Sequence, residues 1–411
     1  STGKSYLLNL MDCPGHANFS AETTAAIRVS DGCVVVLDAC EGIMMHTEQA
    51  IREAVANEVP VCLVVSKMDR LITELKLPPN DAYYKLRYMI GRVNEIISES
   101  FAGYQNLQVM RSRSRNGESA ASKSVRGPPL VSPELGNVCF ASGRDRWCFS
   151  LESFAYRVYS KHGRPRPKRR RRKGGSSASI SSSSRAGDPS EGPQKSARTN
   201  VKDYATFAKN LWGDKYFDPT TGKIVKQQPR GLPSRRTFVQ FVLEPLWKLY
   251  GQILGENAAT LRASLEKDLG VSFGARELDI DPQPLLRLVL RRWMGEPGSV
   301  SGVSGAGGFV GMVADHVPSP VDNAATKVRM AYTGSELVSS ERAEAVLDAM
   351  RTCDPNGPLM INVVKLYPVE EERNDGEAPA SSTSSSSSSP FLTFGRVMSG
   401  TVRPGQRVRV L

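Results

Sequence analysis

Continuous apolar runs alternate with amphipathic stretches over the first hundred positions. Residues 6–11, 33–37 and 61–65 are short, aliphatic and largely β-branched, the pattern of strands buried on both faces. Residues 21–29, 46–57 and 81–98 space their apolar side chains three and four apart and read as helices. This alternation predicts a parallel sheet covered on both sides, with any ligand at the carboxyl ends of the strands. Residues 136–142 return as an apolar strand, and 151–159 as a helix. From 203 to about 320 the pattern is mostly helical, clearest in 238–254 and 284–293. After Lys327 it changes to short strands at 359–366, 391–398 and 406–411. Ser399-Gly400 and Pro404-Gly405 supply turns between the last two, which suits an antiparallel barrel.

Two polar stretches interrupt this order. Residues 105–128 are rich in Ser, Arg and Gly, and residues 161–195 are low-complexity, with a basic run followed by serines. The second cannot bury enough apolar surface to offset its ordering entropy and reads as disordered. A Ser run, 384–389, breaks the strand region, and 300–308 is a Gly/Ser loop without the strand-to-helix context of a dinucleotide fingerprint.

A length of 411 residues suits two or three domains. No run of about 18 apolar residues exists, so no segment reads as a membrane span. The net charge is +12, of which residues 160–200 carry +10 and 101–128 carry +4, leaving −2 for the rest. The basicity therefore sits in the two polar stretches, which argues against a nucleic-acid groove built by the fold itself. The Arg169–172 cluster suits a nuclear localisation signal, a non-specific RNA tether or only a solvated tail, with nuclear import slightly preferred. Seven cysteines stand apart, with no CxxC pair, so neither a zinc site nor a redox pair is indicated. Free thiols inside apolar strands fit a reducing compartment.

Three motifs carry chemistry. Asp12-Cys13-Pro14-Gly15-His16 follows a strand and precedes a helix. A carboxylate at a strand tip can hold a Mg²⁺-bound water, a neighbouring Gly lets a backbone N–H approach a phosphate, and the imidazole can orient an attacking water. Ser66-Lys67-Met68-Asp69 ends the next strand but one and resembles a guanine-reading NKxD motif. In that motif the Asp accepts two hydrogen bonds from the base and the Lys stem packs along the ring, with Ser66 here in place of Asn. Ala141-Ser142-Gly143, at another strand end, resembles the last guanine-contacting loop, whose donors are backbone N–H groups; a simple turn fits it equally. Gly3-Lys4-Ser5 is not a phosphate loop, because a strand rather than a helix follows it. His46, His162 and His316 have no ligand-like company and read as surface or capping residues.

Residues 12–20, 28–39, 66–70 and 354–359 together resemble the GTP-binding domain and second domain of the elongation factor G and elongation factor two group. Within it, Leu75-Lys76-Leu77-Pro78-Pro79-Asn80-Asp81-Ala82-Tyr83-Tyr84-Lys85-Leu86, Gly136-Asn137-Val138-Cys139-Phe140, Leu211-Trp212-Gly213-Asp214, Glu244-Pro245-Leu246 and Asp354-Pro355-Asn356-Gly357-Pro358-Leu359-Met360 are more similar to the GTPases of the U5 small nuclear ribonucleoprotein. The resemblance implies an α/β, P-loop-NTPase-like G domain over residues 1–320, with insertions at 101–128 and 160–200. It implies the start of an antiparallel β-barrel domain over 327–411. It implies GTP or GDP and Mg²⁺ as cofactors, with Asp12 reaching the metal, Gly15 the γ-phosphate and His16 the hydrolytic water. Ser66, Lys67, Asp69 and Ser142 would surround the guanine. It further implies a nuclear protein of pre-mRNA splicing, seated on a large splicing scaffold protein and governing the RNA helicase of the U5 particle. Contact with U5 snRNA would be indirect and none is expected with a membrane. The phosphate loop and first switch segment have no counterpart here, so the chain is expected to be incomplete at both ends. That leaves open whether it turns GTP over, serves as an inactive scaffold, or is a ribosomal translocase of the same mechanism.

Overall fold

The computed structural model describes residues 7–115, 127–162, 204–229, 235–255, 280–294, 308–332, 341–368 and 391–410, with 261, 264–265, 273–274 and 277. Gly3-Lys4-Ser5, the basic run at 164–173 and the Ser run at 384–389 lie outside these residues, as does nearly all of the Gly/Ser loop at 300–308.

The centre is a sheet in the order β1 (Cys33–Asp38), β2 (Val61–Ser66), β3 (Val138–Ser142), β4 (Trp147–Phe149). The first three run parallel, as the apolar runs predict, and β4 is antiparallel. Alternate side chains of β2 and β3 enter two different cores. Val61, Leu63, Val65, Val138 and Phe140 face the larger one, while Cys62, Val64 and Cys139 face a small cluster closed by Met312 and Val313. Burial on both faces is why these strands are apolar at every position. On β1 the second face is covered only in part: Val34 packs against the small cluster, while Val36 is 62% exposed.

Helices α1 (Ser20–Val29), α2 (Met45–Ala56), α3 (Met68–Thr73) and α4 (Pro79–Arg115) supply the larger core. Leu86, Met89, Ile90, Val93, Ile96 and Ile97 form the inward stripe of α4, spaced three and four apart. The helix does not stop where a polar insertion is expected but runs on to Arg115. Residues 105–115 are mostly Gln, Leu, Met, Arg and Ser with no Pro or Gly, so propagating an existing helix through them costs little. Helices α5 (Leu151–His162), α6 (Tyr204–Lys209), α7 (Glu244–Gly255) and α8 (Pro282–Met294) complete that side, and α9 (Gly308–His316) covers the other. A π turn, Val239–Leu243, precedes α7, and a small hairpin of β5 (Tyr216–Asp218) and β6 (Lys223–Val225) interrupts the expected run of helix.

Two further helices, α10 (Pro320–Ala331) and α11 (Glu341–Thr352), lead to an antiparallel pair, β7 (Met360–Pro368) and β8 (Phe391–Ser399). The expected boundary at 327 therefore falls inside α10, and α11 was not foreseen. This unit grips α1 at both ends. Lys365 pairs with Glu22 in the first turn. At the other end Arg396 donates to Val29 O at 2.9 Å and to Asp31 at 2.8 Å, Asn323 donates to Asp31 at 2.9 Å, and Lys327 donates to Arg28 O at 3.1 Å.

Two expected strands are absent. Residues 7–11 pair with no strand, and Leu7 and Leu10 are 89% and 73% exposed. Residues 401–410 likewise form no strand, so among the described residues this unit holds the antiparallel pair β7–β8, consistent with the start of an antiparallel barrel. An apolar run becomes a strand only where a neighbour completes its ladder, and neither segment has one. Among the described residues no helix is long and apolar enough to cross a membrane.

Candidate functional site

Three strand ends lie level at the carboxyl edge of the sheet. Asp38 pairs with Ser66 across β1 and β2, and continuing the pairing of Val65 with Phe140 brings Lys67 opposite Ser142. Immediately after β2, Lys67 takes a left-handed backbone, φ 56° and ψ 34°. That conformation costs a residue with a Cβ about 1 kcal/mol, and it persists where surrounding structure imposes it. Here it turns the chain sharply from β2 into α3 and buries Met68, Asp69 and Leu71 behind the strand end.

Asp69 is 3% exposed, and its Oδ1 has no hydrogen-bond partner among the described residues. An acceptor left in that state costs about 1–3 kcal/mol. A ligand N–H arriving at the strand ends would satisfy it. Lys67 reaches sideways: its Nζ lies 2.9 Å from Asp38 Oδ2, and Arg70 approaches the same oxygen at 3.1 Å. Cys40 N–H donates to Asp38 Oδ1 at 2.8 Å. Burial pushes the Asp38 carboxyl upward, but the bonds from Lys67 and from Cys40 N–H outweigh it and hold the group below its ordinary value. The same hydrogen bond raises the Lys67 ammonium, so the pair is ionised. Ser66 contributes its carbonyl, which accepts from Ala39 N–H at 2.9 Å and locks the ends of β1 and β2 together.

Ser142 is buried, and its Oγ accepts from Asp145 N–H at 3.1 Å, closing the turn into β4. Its side chain therefore serves the turn, while Gly143 beside it has open space around its Cα. Asp145, 2% exposed, accepts from Tyr250 Oη at 2.5 Å and from Gln283 Nε2 at 2.5 Å. Trp147 Nε1 donates in turn to Tyr250 Oη at 3.3 Å.

Asp12, Gly15 and His16 form a separate, exposed turn. His16 Nδ1 accepts from Asn18 N–H at 3.2 Å and caps the short turn Ala17–Phe19 that leads into α1. The ring of His16 meets Phe19 edge-on with centroids 6.3 Å apart. Open space surrounds Gly15, and the Asp12 carboxylate has no partner among the described residues. The turn lies beside β1: burial, and then Cys13, push the Cys33 thiol up to about 11. The structure thus assembles Ser66, Lys67, Asp69 and Ser142 at one corner. No hydrogen bond or ion pair among the described residues links that corner to the Asp12 turn.

Sequence reasoning missed Asp38, Arg70, Asp145, Tyr250 and Gln283. Asp38 carried a signal, since it ends an apolar strand, the position the sequence suggests for Asp12. Tyr250 carried none, lying 105 positions from the carboxylate it serves.

Residues 1–226 match the family model described as Elongation factor Tu GTP binding domain. The chain is 39% identical over 412 residues to the 110 kDa U5 small nuclear ribonucleoprotein component CLO of Arabidopsis thaliana. It is 39% identical over 412 residues to the 109 kDa U5 small nuclear ribonucleoprotein component GFL of the same plant. Against the pre-mRNA-splicing factor cwf10 of Schizosaccharomyces pombe it is 34% identical over 409 residues. Each alignment covers 100% of this chain and 32–33% of the relative, so the chain spans about a third of the length of the curated relatives it matches. With a parallel sheet whose strand ends gather a lysine, a buried aspartate and an open glycine turn, and a family match over more than half its length, the chain belongs to the elongation factor Tu GTP-binding-domain family.

Proposed function

We propose that this chain carries the guanine-nucleotide site of a GTPase that acts in the U5 small nuclear ribonucleoprotein during pre-mRNA splicing. The observation that carries the site is the buried Asp69 carboxylate with its open Oδ1. Guanine presents an N1–H and a 2-amino group side by side, and a carboxylate at the end of β2 accepts both. The Lys67 stem lies beside that position, held by Asp38, and the backbone at Ser142-Gly143 closes the other side. Asp12 is the oxygen donor for Mg²⁺: a single free carboxylate suits a hard cation that keeps most of its waters and takes phosphate oxygens. When bound, the metal neutralises charge on the phosphates. Gly15 admits its own N–H to the terminal phosphate, and His16 orients the water that attacks the terminal phosphorus, with GDP as the leaving group and inorganic phosphate as the other product.

The names of the relatives support the splicing assignment and a nuclear location. The large scaffold protein and the helicase of the U5 particle are the partners this reading assigns. Equilibrium binding of a fluorescent GDP analogue tests the site. The full chain should bind it and be displaced by GDP but not by ADP, and Asp69→Ala should weaken binding by about a hundredfold or more, the share of two charge-assisted hydrogen bonds. Equal affinity in the Asp69→Ala variant would refute the site. Co-purification with ribosomes instead of the U5 particle would refute the splicing assignment.

A further inference from the structure

We propose that Asp145, Tyr250 and Gln283 form a buried positioning network that fixes the base-reading corner, so that discrimination among purines depends on helices α7 and α8. The inference rests on the guanine reading of Asp69. Its starting point is a carboxylate in an odd place. Asp145 lies fully inside the turn between β3 and β4, and among the described residues no cation pairs with it. Burying such a charge costs several kcal/mol unless neutral donors replace the lost water. Three groups do so: Tyr250, Gln283 and, through Tyr250, the Trp147 indole. A turn of this length closes as readily with Asn or Gly, so closing the turn does not by itself explain the charge.

Two consequences of the geometry bear on the base site. Asp145 N–H binds Ser142 Oγ, so the network holds the very loop whose backbone flanks the ligand position. Tyr250 has one hydroxyl proton, and Asp145 takes it. Asp69 is also near Tyr250, close enough that its charge adds to the burial and to the Asp145 bond that raise the phenol. With its proton committed to Asp145, Tyr250 has none to give to Asp69, and Asp69 Oδ1 stays open to a ligand. Asp145 therefore acts as a positioning residue twice over: it anchors the loop and keeps the acceptor free.

The test compares GDP with inosine diphosphate, which lacks the 2-amino group, in competition with a fluorescent GDP analogue on the full chain. Tyr250→Phe keeps the ring and removes the proton, and Asp145→Asn keeps the shape and removes the charge. Gln283→Leu, on the half-exposed side of α8, serves where either of these fails to fold. The preference for GDP over inosine diphosphate should fall by about tenfold in each folded variant, the share of one charge-assisted hydrogen bond. Thermal unfolding run alongside reports stability separately. An unchanged preference overturns the proposal, as does an equal loss of affinity for both nucleotides, which would mark the network as structural only. Absence of guanine-nucleotide binding by the unaltered chain overturns both this proposal and the reading beneath it.

Discussion

Lys327 offers a quantitative check on the contact between the C-terminal unit and α1. It is 4% exposed, projects from α10, and donates to Arg28 O at 3.1 Å and weakly to Ile27 O at 3.5 Å, the last carbonyls of α1. A cation at a helix C-terminus is favourable, yet burial, and then the nearby Arg396, lower its ammonium from the ordinary 10.5 to about 8, with Asp31 pulling the other way. A shift of that size corresponds to about 3 kcal/mol, and to about 2 kcal/mol once the remaining solvent screening is discounted. Between about pH 8 and 10.5 the unfolded chain holds a proton that the folded chain has released, so stability rises with pH through that window. Below it both states are protonated and the burial penalty is fully present. Lys327→Met removes the charge and keeps the bulk. It relieves about 2 kcal/mol of penalty at neutral pH and loses about 1 kcal/mol of hydrogen bonding to α1. The variant should then be about 1 kcal/mol more stable near pH 7 and about 1 kcal/mol less stable near pH 10, with the curves crossing between. Urea titrations followed by tryptophan fluorescence across that range measure both. A constant offset between wild type and variant at every pH would refute the reasoning.

Three further outcomes follow from the packing. Gly400 has φ 77°, and a Cβ there would lie 2.6 Å from Leu359 Cα and 2.8 Å from Leu359 N, so Gly400→Ala should cost about 2–4 kcal/mol and lower the thermal midpoint. Phe140 is fully buried on β3 with its ring 5.1 Å from Phe238 and 5.6 Å from Phe149, so Phe140→Ala should cost about 3–5 kcal/mol in chemical denaturation; a loss below about 1 kcal/mol would show that the core can collapse there. Asp214 binds Arg87 at 2.8 Å and Arg236 at 2.9 Å near the surface, so Asp214→Ala should cost under about 1 kcal/mol per pair, shrinking in high salt.

What was legible in the sequence follows from how each element is buried. Strands β1 to β3 could be read because two cores demand apolar residues at successive positions. Strand β4 is three residues long and antiparallel, too short for any periodicity to register. Helix α11 was lost among strand signals because its apolar stripe is thin: Leu347 and Met350 sit among charged residues. Asp69 was legible as a candidate because its motif places a carboxylate at a fixed distance after a strand, and β2 does end at Ser66. The network behind it was not, because Asp145, Tyr250 and Gln283 meet only once the chain has folded, and no local spacing records that meeting.

The length of α4 has a mechanical consequence. The loop entering its first turn is tied to α3, the helix that carries Asp69, where Leu77 N–H binds Leu71 O at 3.0 Å. Some 25 residues on, the Tyr104 hydroxyl reaches Glu58 at 3.1 Å and the Met330 sulfur of α10 at 3.6 Å. At 1.5 Å per residue these two points are about 38 Å apart on one continuous rod. A helix of that length curves gently and hardly shortens. A displacement along its axis at one end therefore reappears at the other, so the corner beneath Asp69 and the start of the second unit move as two ends of one strut.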